Sequence, residues 1–117
     1  MKTASVRLCL SMGVDESLIR KIVERVLSVA QPEKIILFGS AATGKMTRDS
    51  DIDLLVIERS TDNTREESVR LYRALGGVGF PCDVIVMSAE RFEETKDVIG
   101  GIAYPAYRYG RVIHEAA

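Results

Sequence analysis

The chain has 117 residues, of which 46% are hydrophobic and 28% charged, and it contains only three prolines. A single core usually occupies about 100 to 150 residues, so we expect one domain over residues 1–117, and the composition excludes a disordered or collagen-like protein. Sixteen basic and seventeen acidic residues give a net charge of -1, which excludes a globally basic surface dedicated to nucleic acid or to an anionic membrane.

The cysteines and the apolar runs bear on the cellular compartment. Cys9 and Cys82 are too few for a disulfide scaffold, and neither has a Cys or His at zinc-ligand spacing, so we interpret both as reduced thiols. Residues 1–13 have no signal-peptide core and allow a flexible segment, and no later run approaches the roughly 20 apolar residues that span a bilayer. We therefore expect a cytoplasmic protein without a membrane partner.

The first half of the chain predicts one helix and two strands. Apolar residues recur at three- and four-residue spacings over 14–30, which is typical of one face of an amphipathic helix, with Asp15 as a suitable N-cap. Two runs of aliphatic and β-branched residues then predict strands at Lys34–Phe38 and 52–57.

The second half continues this alternation. The sequence T-R-E-E predicts a capping box between Thr64 and Glu67 and a helix over 64–75, which Gly76 and Gly77 end. Residues 81–87 predict a third strand.

The last thirty residues are less regular. Ser88 predicts the cap of a short helix that buries Phe92, and 111–114 predicts a final edge strand. Between them, the segment 98–109 contains three residues that we expect to interrupt any helix: Gly100, Gly101 and Pro105.

The central strands define the fold class. Apolar side chains occupy both faces of the predicted strands at 52–57 and 81–87, and such strands are usually covered by helices on both sides. The sequence therefore predicts the α/β (α+β) class, with a small mixed β-sheet flanked by helices.

Asp51 and Asp53 open the second predicted strand. Side chains alternate along a strand, so both project from one face, roughly 6 to 7 Å apart along the backbone. Carboxylates this close repel each other when ionised, and no Lys or Arg alternates with them on that face. A divalent cation would balance the charge, and oxygen-only ligands favour Mg²⁺ or Mn²⁺ with shells completed by water and substrate phosphates. The pair therefore indicates a nucleotide site.

Gly39 and Ser40 directly follow the first predicted strand. A glycine there lets a phosphate approach the backbone, and the amide donors of a following short helix, with the Ser40 hydroxyl, form an anion site. Asp83 lies near the start of a later apolar strand, as Asp53 does, so we expect strand pairing to bring the two together.

The spacing G-S-x10-D-x-D, followed by a later strand aspartate, resembles the signature of the nucleotidyltransferase superfamily related to DNA polymerase beta. It is similar to the minimal nucleotidyltransferase (MNT) branch of small prokaryotic proteins, many of which are antitoxins of HEPN-domain toxins. The resemblance covers residues 35–87 and implies a polymerase beta-like nucleotidyltransferase fold.

The resemblance also implies a role for each candidate residue. Asp51 and Asp53 would bind two Mg²⁺ ions, and Asp83 would bind the ion nearer the acceptor and help to activate its hydroxyl. Gly39 and Ser40 would hold the β- and γ-phosphates.

The implied reaction transfers a nucleoside monophosphate, AMP from ATP in the antitoxin branch, to a hydroxyl while pyrophosphate leaves. In that branch the acceptor is a tyrosine of a separately encoded HEPN toxin, and AMPylation silences it. A chain of this length has no room for the helical partner, so the acceptor is expected on another molecule.

Two other motifs overlap this stretch. Gly39, Gly44 and Lys45 match most of a P-loop, but Met46 replaces the Ser or Thr that ligates magnesium. An EF-hand loop is excluded because the turn glycine and the final glutamate are absent.

A second class of function stays open, a non-catalytic binding module that neutralises its partner by occlusion. Transfer to a small molecule is less favoured, since such enzymes usually add an acceptor domain. Both homo- and hetero-oligomers stay open.

His114, on the predicted edge strand, receives no catalytic role. One aromatic cluster suits either a partner interface or packing under the terminal segment: Tyr104, Tyr107 and Tyr109.

Overall fold

The computed structural model describes residues 16–43, 51–60 and 63–116. The predicted cap Asp15, the segment 1–13, Cys9 and the P-loop lysine Lys45 lie outside these ranges. The described elements are α1 Glu16–Leu27, β1 Lys34–Phe38, α2 Ser40–Thr43, β2 Ile52–Glu58, α3 Thr64–Ala74, β3 Cys82–Ser88, α4 Ala89–Thr95, α5 Ala103–Tyr109 and β4 Arg111–Glu115.

The four described strands form one mixed sheet in the order β3-β2-β1-β4. β1 runs antiparallel to β2 and β4, whereas β2 and β3 run parallel. A parallel pair needs a crossover connection, and α3 provides it between β2 and β3. The predicted fold class, a small mixed sheet flanked by helices, is confirmed.

One face of the sheet packs against α1 and α3. The alternating strand residues Ile52, Leu54 and Val56 are completely buried there. Opposite them, α1 presents Ile22 and Val26 from its apolar stripe. This face contains the larger of the two hydrophobic cores.

The other face packs against α4 and α5. Leu55 and Ile57 of β2 are buried against Phe92 of α4 and the small residues Ala103 and Ala106 of α5. Alanines allow a helix to lie close to a sheet, and this second core is accordingly thin. Both faces of the central strands are therefore covered, as the sequence predicts.

Most predicted elements are observed within two or three residues of their expected ends. The strand Lys34–Phe38 agrees fully. The Ser88 hydroxyl accepts a hydrogen bond of 3.1 Å from the Arg91 amide, and Phe92 is 2% exposed, so the predicted cap and buried ring of α4 are confirmed. The final strand is also confirmed and pairs with β1 at the edge of the described sheet.

The predicted capping box of α3 is wrong. The N-cap is Asn63, whose Oδ1 accepts a hydrogen bond of 3.0 Å from the Glu66 amide. Asparagine is as effective an N-cap as threonine, and its extended backbone conformation places Thr64 inside the first turn. Glu67 is thereby free of a capping role, and its carboxylate instead accepts hydrogen bonds from Arg70.

The expected interruption of the tail is also wrong, because α5 forms at Ala103–Tyr109. Gly100 and Gly101 precede this helix rather than interrupt it. Pro105 is the third residue of the helix, where the missing amide has no intrahelical acceptor in any sequence. Proline in the first turn is thus compatible with the helix that follows.

The tyrosines of the tail form separate ring contacts. Tyr104 and Tyr109 make an edge-to-face pair with centroids 6.5 Å apart, while Tyr107 packs in the same way on Phe92 at 6.1 Å. Tyr107 and Tyr109 remain about half exposed or more. Each ring is therefore partly covered by contacts within the tail or with Phe92, and a role of the tyrosines in a partner interface stays a prediction.

Within the described ranges, no helix combines the length and the apolar character needed to cross a lipid bilayer.

Gly110 sets the distance between α5 and β1, which yields a test of the packing. A Cβ at this position would overlap the Ala106 carbonyl oxygen and lie 2.7 Å from Ile36 Cγ2 and 2.9 Å from the Leu37 carbonyl oxygen. Replacing Gly110 by alanine should therefore overpack the thin core and destabilise the fold by about 1 to 3 kcal/mol, measured by thermal or urea unfolding.

The matched control is Gly101→Ala, because a Cβ there meets no atom within 4 Å. We expect Gly101→Ala to unfold like the wild type. Equal stability of both variants would contradict the close approach of α5 to β1.

Candidate functional site

The sheet brings two of the predicted carboxylates together. One cross-strand row of the sheet contains Phe38, Asp53 and Asp83. The row lies at the end of the sheet where β1 ends and where β2 and β3 begin. Neighbouring strands lie about 4.8 Å apart, and partners in a row present their side chains on the same face. The predicted pairing of Asp53 with Asp83 is therefore confirmed.

Asp51 lies one residue before β2 and adds a third negative charge to this edge. Burial raises the pKa of the Asp53 carboxyl, and the charges of Asp83 and Asp51 raise it further. Each of these effects disfavours the ionised form of Asp53, and none comes from a basic neighbour. The site therefore holds a carboxylate that a bound cation would stabilise.

Gly39 lies directly against the Asp53 carboxylate. Its φ of +73° is in the left-handed region that favours glycine. A Cβ at this position would overlap Asp53 Oδ2 and lie 3.3 Å from Asp53 Cγ. The absence of a side chain thus allows the backbone after β1 to contact the carboxylate of the neighbouring strand.

Ser40 begins the short helix α2, which is anchored on the Gly39 carbonyl. That carbonyl oxygen accepts hydrogen bonds from the Ala42 amide at 3.1 Å and from the Thr43 hydroxyl at 3.3 Å. Ser40 therefore follows directly on the glycine that contacts the Asp53 carboxylate, and the anion contact of Gly39 and Ser40 stays a prediction.

The oxygen atoms at this end of the sheet suit a hard cation. Asp53 and Asp83 offer oxygen ligands in adjacent positions, with Asp51 close enough to raise the pKa of Asp53. Among the described residues, however, no three His, Cys, Asp or Glu side chains converge into a complete metal-binding group. Magnesium is usually held by one or two carboxylates plus water and substrate phosphates, so two adjacent carboxylates fit that ion without a third.

The structure also adds a residue that the sequence analysis did not select. Phe38 is partly buried beside Asp53, and it forms one side of the candidate site. Its position at the end of the predicted strand, immediately before Gly39, could have indicated this role. An aromatic residue at a strand end, however, is usually part of the core.

Two other residues behave as the sequence predicts. Cys82 is 6% exposed, and burial and the charge of Asp51 raise the pKa of its thiol, which favours an unreactive core residue. His114 pairs with Ile35 near the opposite end of β1 from Phe38. Neither residue belongs to the candidate site.

Several solved structures have a similar fold. A Sulfolobus solfataricus protein described as a nucleotidyltransferase is 22% identical over 85% of this chain and 78% of its own, with a TM-score of 0.59. A chain of a toxin-antitoxin crystal structure with AMP-PNP is 22% identical over 84% of this chain and 73% of its own, also with a TM-score of 0.59.

A third similar structure is a complex of a tri-AMPylated Shewanella oneidensis HEPN toxin with an MNT antitoxin. One of its chains is 18% identical over 86% of this chain and 72% of its own, with a TM-score of 0.53. At these identities, the three likenesses establish the fold alone.

No curated relative matches the sequence. The family model of the nucleotidyltransferase domain matches residues 19–103, which is well over half of the chain and includes every candidate site residue. The glycine-serine turn, the paired aspartates and the sheet that joins them thus lie within a recognised domain, and this chain belongs to the nucleotidyltransferase domain family.

Proposed function

We propose that this chain transfers AMP from ATP to a hydroxyl on a partner protein in the cytoplasm and acts as the antitoxin of a HEPN-type toxin. The observation that carries the proposal is the row in which Asp53 and Asp83 pair, with Gly39 against the Asp53 carboxylate. In the proposal, the carboxylates bind the cation and the adjacent backbone binds the phosphates, so that a metal-nucleotide complex spans the two.

Mg²⁺ is the proposed metal, held by Asp53 and Asp83 with Asp51 alongside. This ion, together with a second one, would stabilise the negative charge that develops on the attacking and departing oxygens, as in other two-metal sites. Oxygen-only ligands and the raised pKa of Asp53 support this assignment.

The protein residues have separate tasks in the proposed reaction. Gly39 and Ser40 hold the terminal phosphates of ATP and orient the α-phosphorus. The acceptor oxygen forms a bond to that phosphorus, the bond to the departing pyrophosphate breaks, and the hydroxyl proton passes to Asp83. Asp83 suits this task because it is exposed and lies on β3, an edge strand of the described sheet.

Two similar structures support a toxin as the partner. One contains a HEPN toxin that is tri-AMPylated and bound to an MNT antitoxin, and another is a toxin-antitoxin with AMP-PNP. These descriptions apply to those proteins. Together with the family membership of this chain, they favour a protein hydroxyl over a small-molecule acceptor.

The first test follows AMP transfer directly. Purified protein with Mg²⁺ and ATP labelled at the α-phosphate should label the toxin encoded beside it, and Asp51→Asn with Asp53→Asn should reduce labelling at least about a hundredfold, because several kcal/mol of transition-state stabilisation are lost. Glu94→Gln with Asp97→Asn also removes two carboxylates, both exposed and located in α4 and the loop after it, so this double variant is the charge-matched control and should label normally.

Undiminished labelling by the double variant would refute the site assignment. If instead the wild type labels nothing and the double variant still rescues cells that express the toxin, occlusion rather than catalysis is the function.

The second test uses the contact between Gly39 and Asp53. Gly39→Ala should greatly reduce AMP transfer, because the added methyl group displaces the Asp53 carboxylate, whereas the protein remains folded as judged by its unfolding curve. Gly100→Ala is the control, since Gly100 also has a positive φ, +112°, but a Cβ there meets nothing within 4 Å. Both variants carry a left-handed alanine that costs about 1 to 2 kcal/mol of stability, so only the difference in transfer reports the contact. Similar transfer by both variants would contradict it.

The third test concerns cation binding without turnover. Mg²⁺ should raise the Tm of the wild type, and the increase should be smaller at about pH 5 than at about pH 8, because the raised pKa of Asp53 allows protons to compete with the ion as the pH falls. Asp53→Asn should show little Mg²⁺-dependent stabilisation at either pH. An increase that persists unchanged in that variant would place the ion elsewhere.

A further inference from the structure

A second polar site lies at the opposite end of β2 from Asp53. On the face that packs against α1 and α3, the row Ile52, Leu54 and Val56 is apolar, but its last position is Glu58. An open groove of about 690 Å³ begins at this residue. We call it the Glu58 groove, and its lining residues used below are Leu27, Val29, Ala30, Glu58, Arg59, Glu67 and Arg70.

Glu58 is a buried carboxyl, and one of its two oxygens accepts no hydrogen bond from the described residues. Its side chain lines the groove although the residue is only 9% exposed. Its Oε2 atom has no hydrogen-bond partner among the described residues. A buried acceptor without a partner costs about 1 to 3 kcal/mol, and more when charged, so this group favours the arrival of a donor.

The charged groups that face Glu58 are Glu67 and Arg70 of α3. Arg70 Nη2 donates to both carboxylate oxygens of Glu67, at 2.6 and 2.8 Å. That guanidinium is therefore committed to Glu67. Two carboxylates share one cation, and Glu58 is the one left without a positive partner.

The other sides of the groove do not supply a positive partner. Arg59 follows Glu58 along the chain, but its Nε atom pairs with Glu33 Oε2 at 3.4 Å, and its side chain is 86% exposed. The end of α1 and the segment after it contribute only uncharged residues to the lining, both polar and apolar. The apolar ones, Leu27, Val29 and Ala30, offer a contact for an aliphatic stem beside the polar part of the groove.

Protonation is the alternative to a cation at this position. Burial, a hydrogen bond to Glu67 and the charge of Glu67 raise the pKa of Glu58 to about 7, although Arg70 opposes the shift. Burial also acts to raise the pKa of Glu67, but hydrogen bonds with Glu58 and Arg70 outweigh it and lower that pKa. A single proton shared with Glu67 is therefore bound in acid and progressively lost above neutral pH.

We propose that the Glu58 groove binds an ammonium or guanidinium group on an aliphatic chain, with Glu58 as the carboxylate that anchors the cation. The cation takes the place of the shared proton, and the stem lies on the apolar lining. The proposal is independent of nucleotidyl transfer, since the groove lies at the other end of β2 from the candidate active site.

To test this proposal, the full chain is titrated with butylguanidinium and, in a parallel experiment, with its neutral isostere butylurea. Binding is measured by calorimetry or by NMR chemical shifts. We expect butylguanidinium to bind and butylurea not to bind. Binding should be about tenfold weaker at about pH 6 than at about pH 8, because Glu58 must lose its proton. Equal binding of both compounds, or of neither, would overturn the proposal, and so would the absence of a pH effect.

Glu58→Gln should abolish binding, while Glu94→Gln, which removes one exposed carboxylate from α4, should bind as the wild type does. Binding that survives Glu58→Gln would refute the role of Glu58. If Glu58→Gln does not fold, the butylurea comparison and the pH dependence in the wild type decide the question by themselves.

The same cation occurs on small amines and on basic side chains of proteins. A comparison of agmatine with a capped Ala-Arg-Ala peptide distinguishes the two. Tighter binding of agmatine indicates a free amine as the occupant, and tighter binding of the peptide indicates a protein segment, whereas binding of neither overturns the proposal.

Discussion

The parallel ladder between β2 and β3 pairs Asp53 with Asp83, and the candidate site depends on that register. A shift by one residue would turn one of these carboxylates to the face that packs against α1 and α3, where the neighbouring side chains are fully buried and apolar. The buried apolar residues Ile52 and Leu54 on either side of Asp53 therefore keep its side chain on the other face of the sheet. The energy that keeps two repelling carboxylates together comes from the core beneath them, and not from any attraction between them.

The sequence predicted the elements whose signals are local. A run of aliphatic and β-branched residues located β2, and a single hydroxyl located the cap of α4. The errors arose where two local rules competed. Asn63 and Thr64 are both good N-caps, and only the backbone conformation of Asn63 distinguishes them. Pro105 breaks a helix in its interior but not in its first turn, so its effect depends on where the helix begins.

The candidate site was predictable where it depends on the alternation of side chains between the two faces of a strand. The side of the sheet to which Asp53 points follows from the alternation of side chains along β2, and its pairing with Asp83 required β2 and β3 to be parallel neighbours in this register. The part that could not be predicted is Glu58. In the sequence it is one glutamate at the end of an apolar run, and its burial appears only when α3 and the segment after α1 are folded over it.

The contact between Gly39 and Asp53 has a thermodynamic consequence. The backbone proposed to bind the phosphates touches the carboxylate proposed to bind the cation, so neither can be displaced without moving the other. If the cation raises the affinity for the phosphates by some factor, the phosphates must raise the affinity for the cation by the same factor, because the coupling free energy is reciprocal. In the proposed function, the missing side chain of Gly39 would therefore couple the binding of the two ligands.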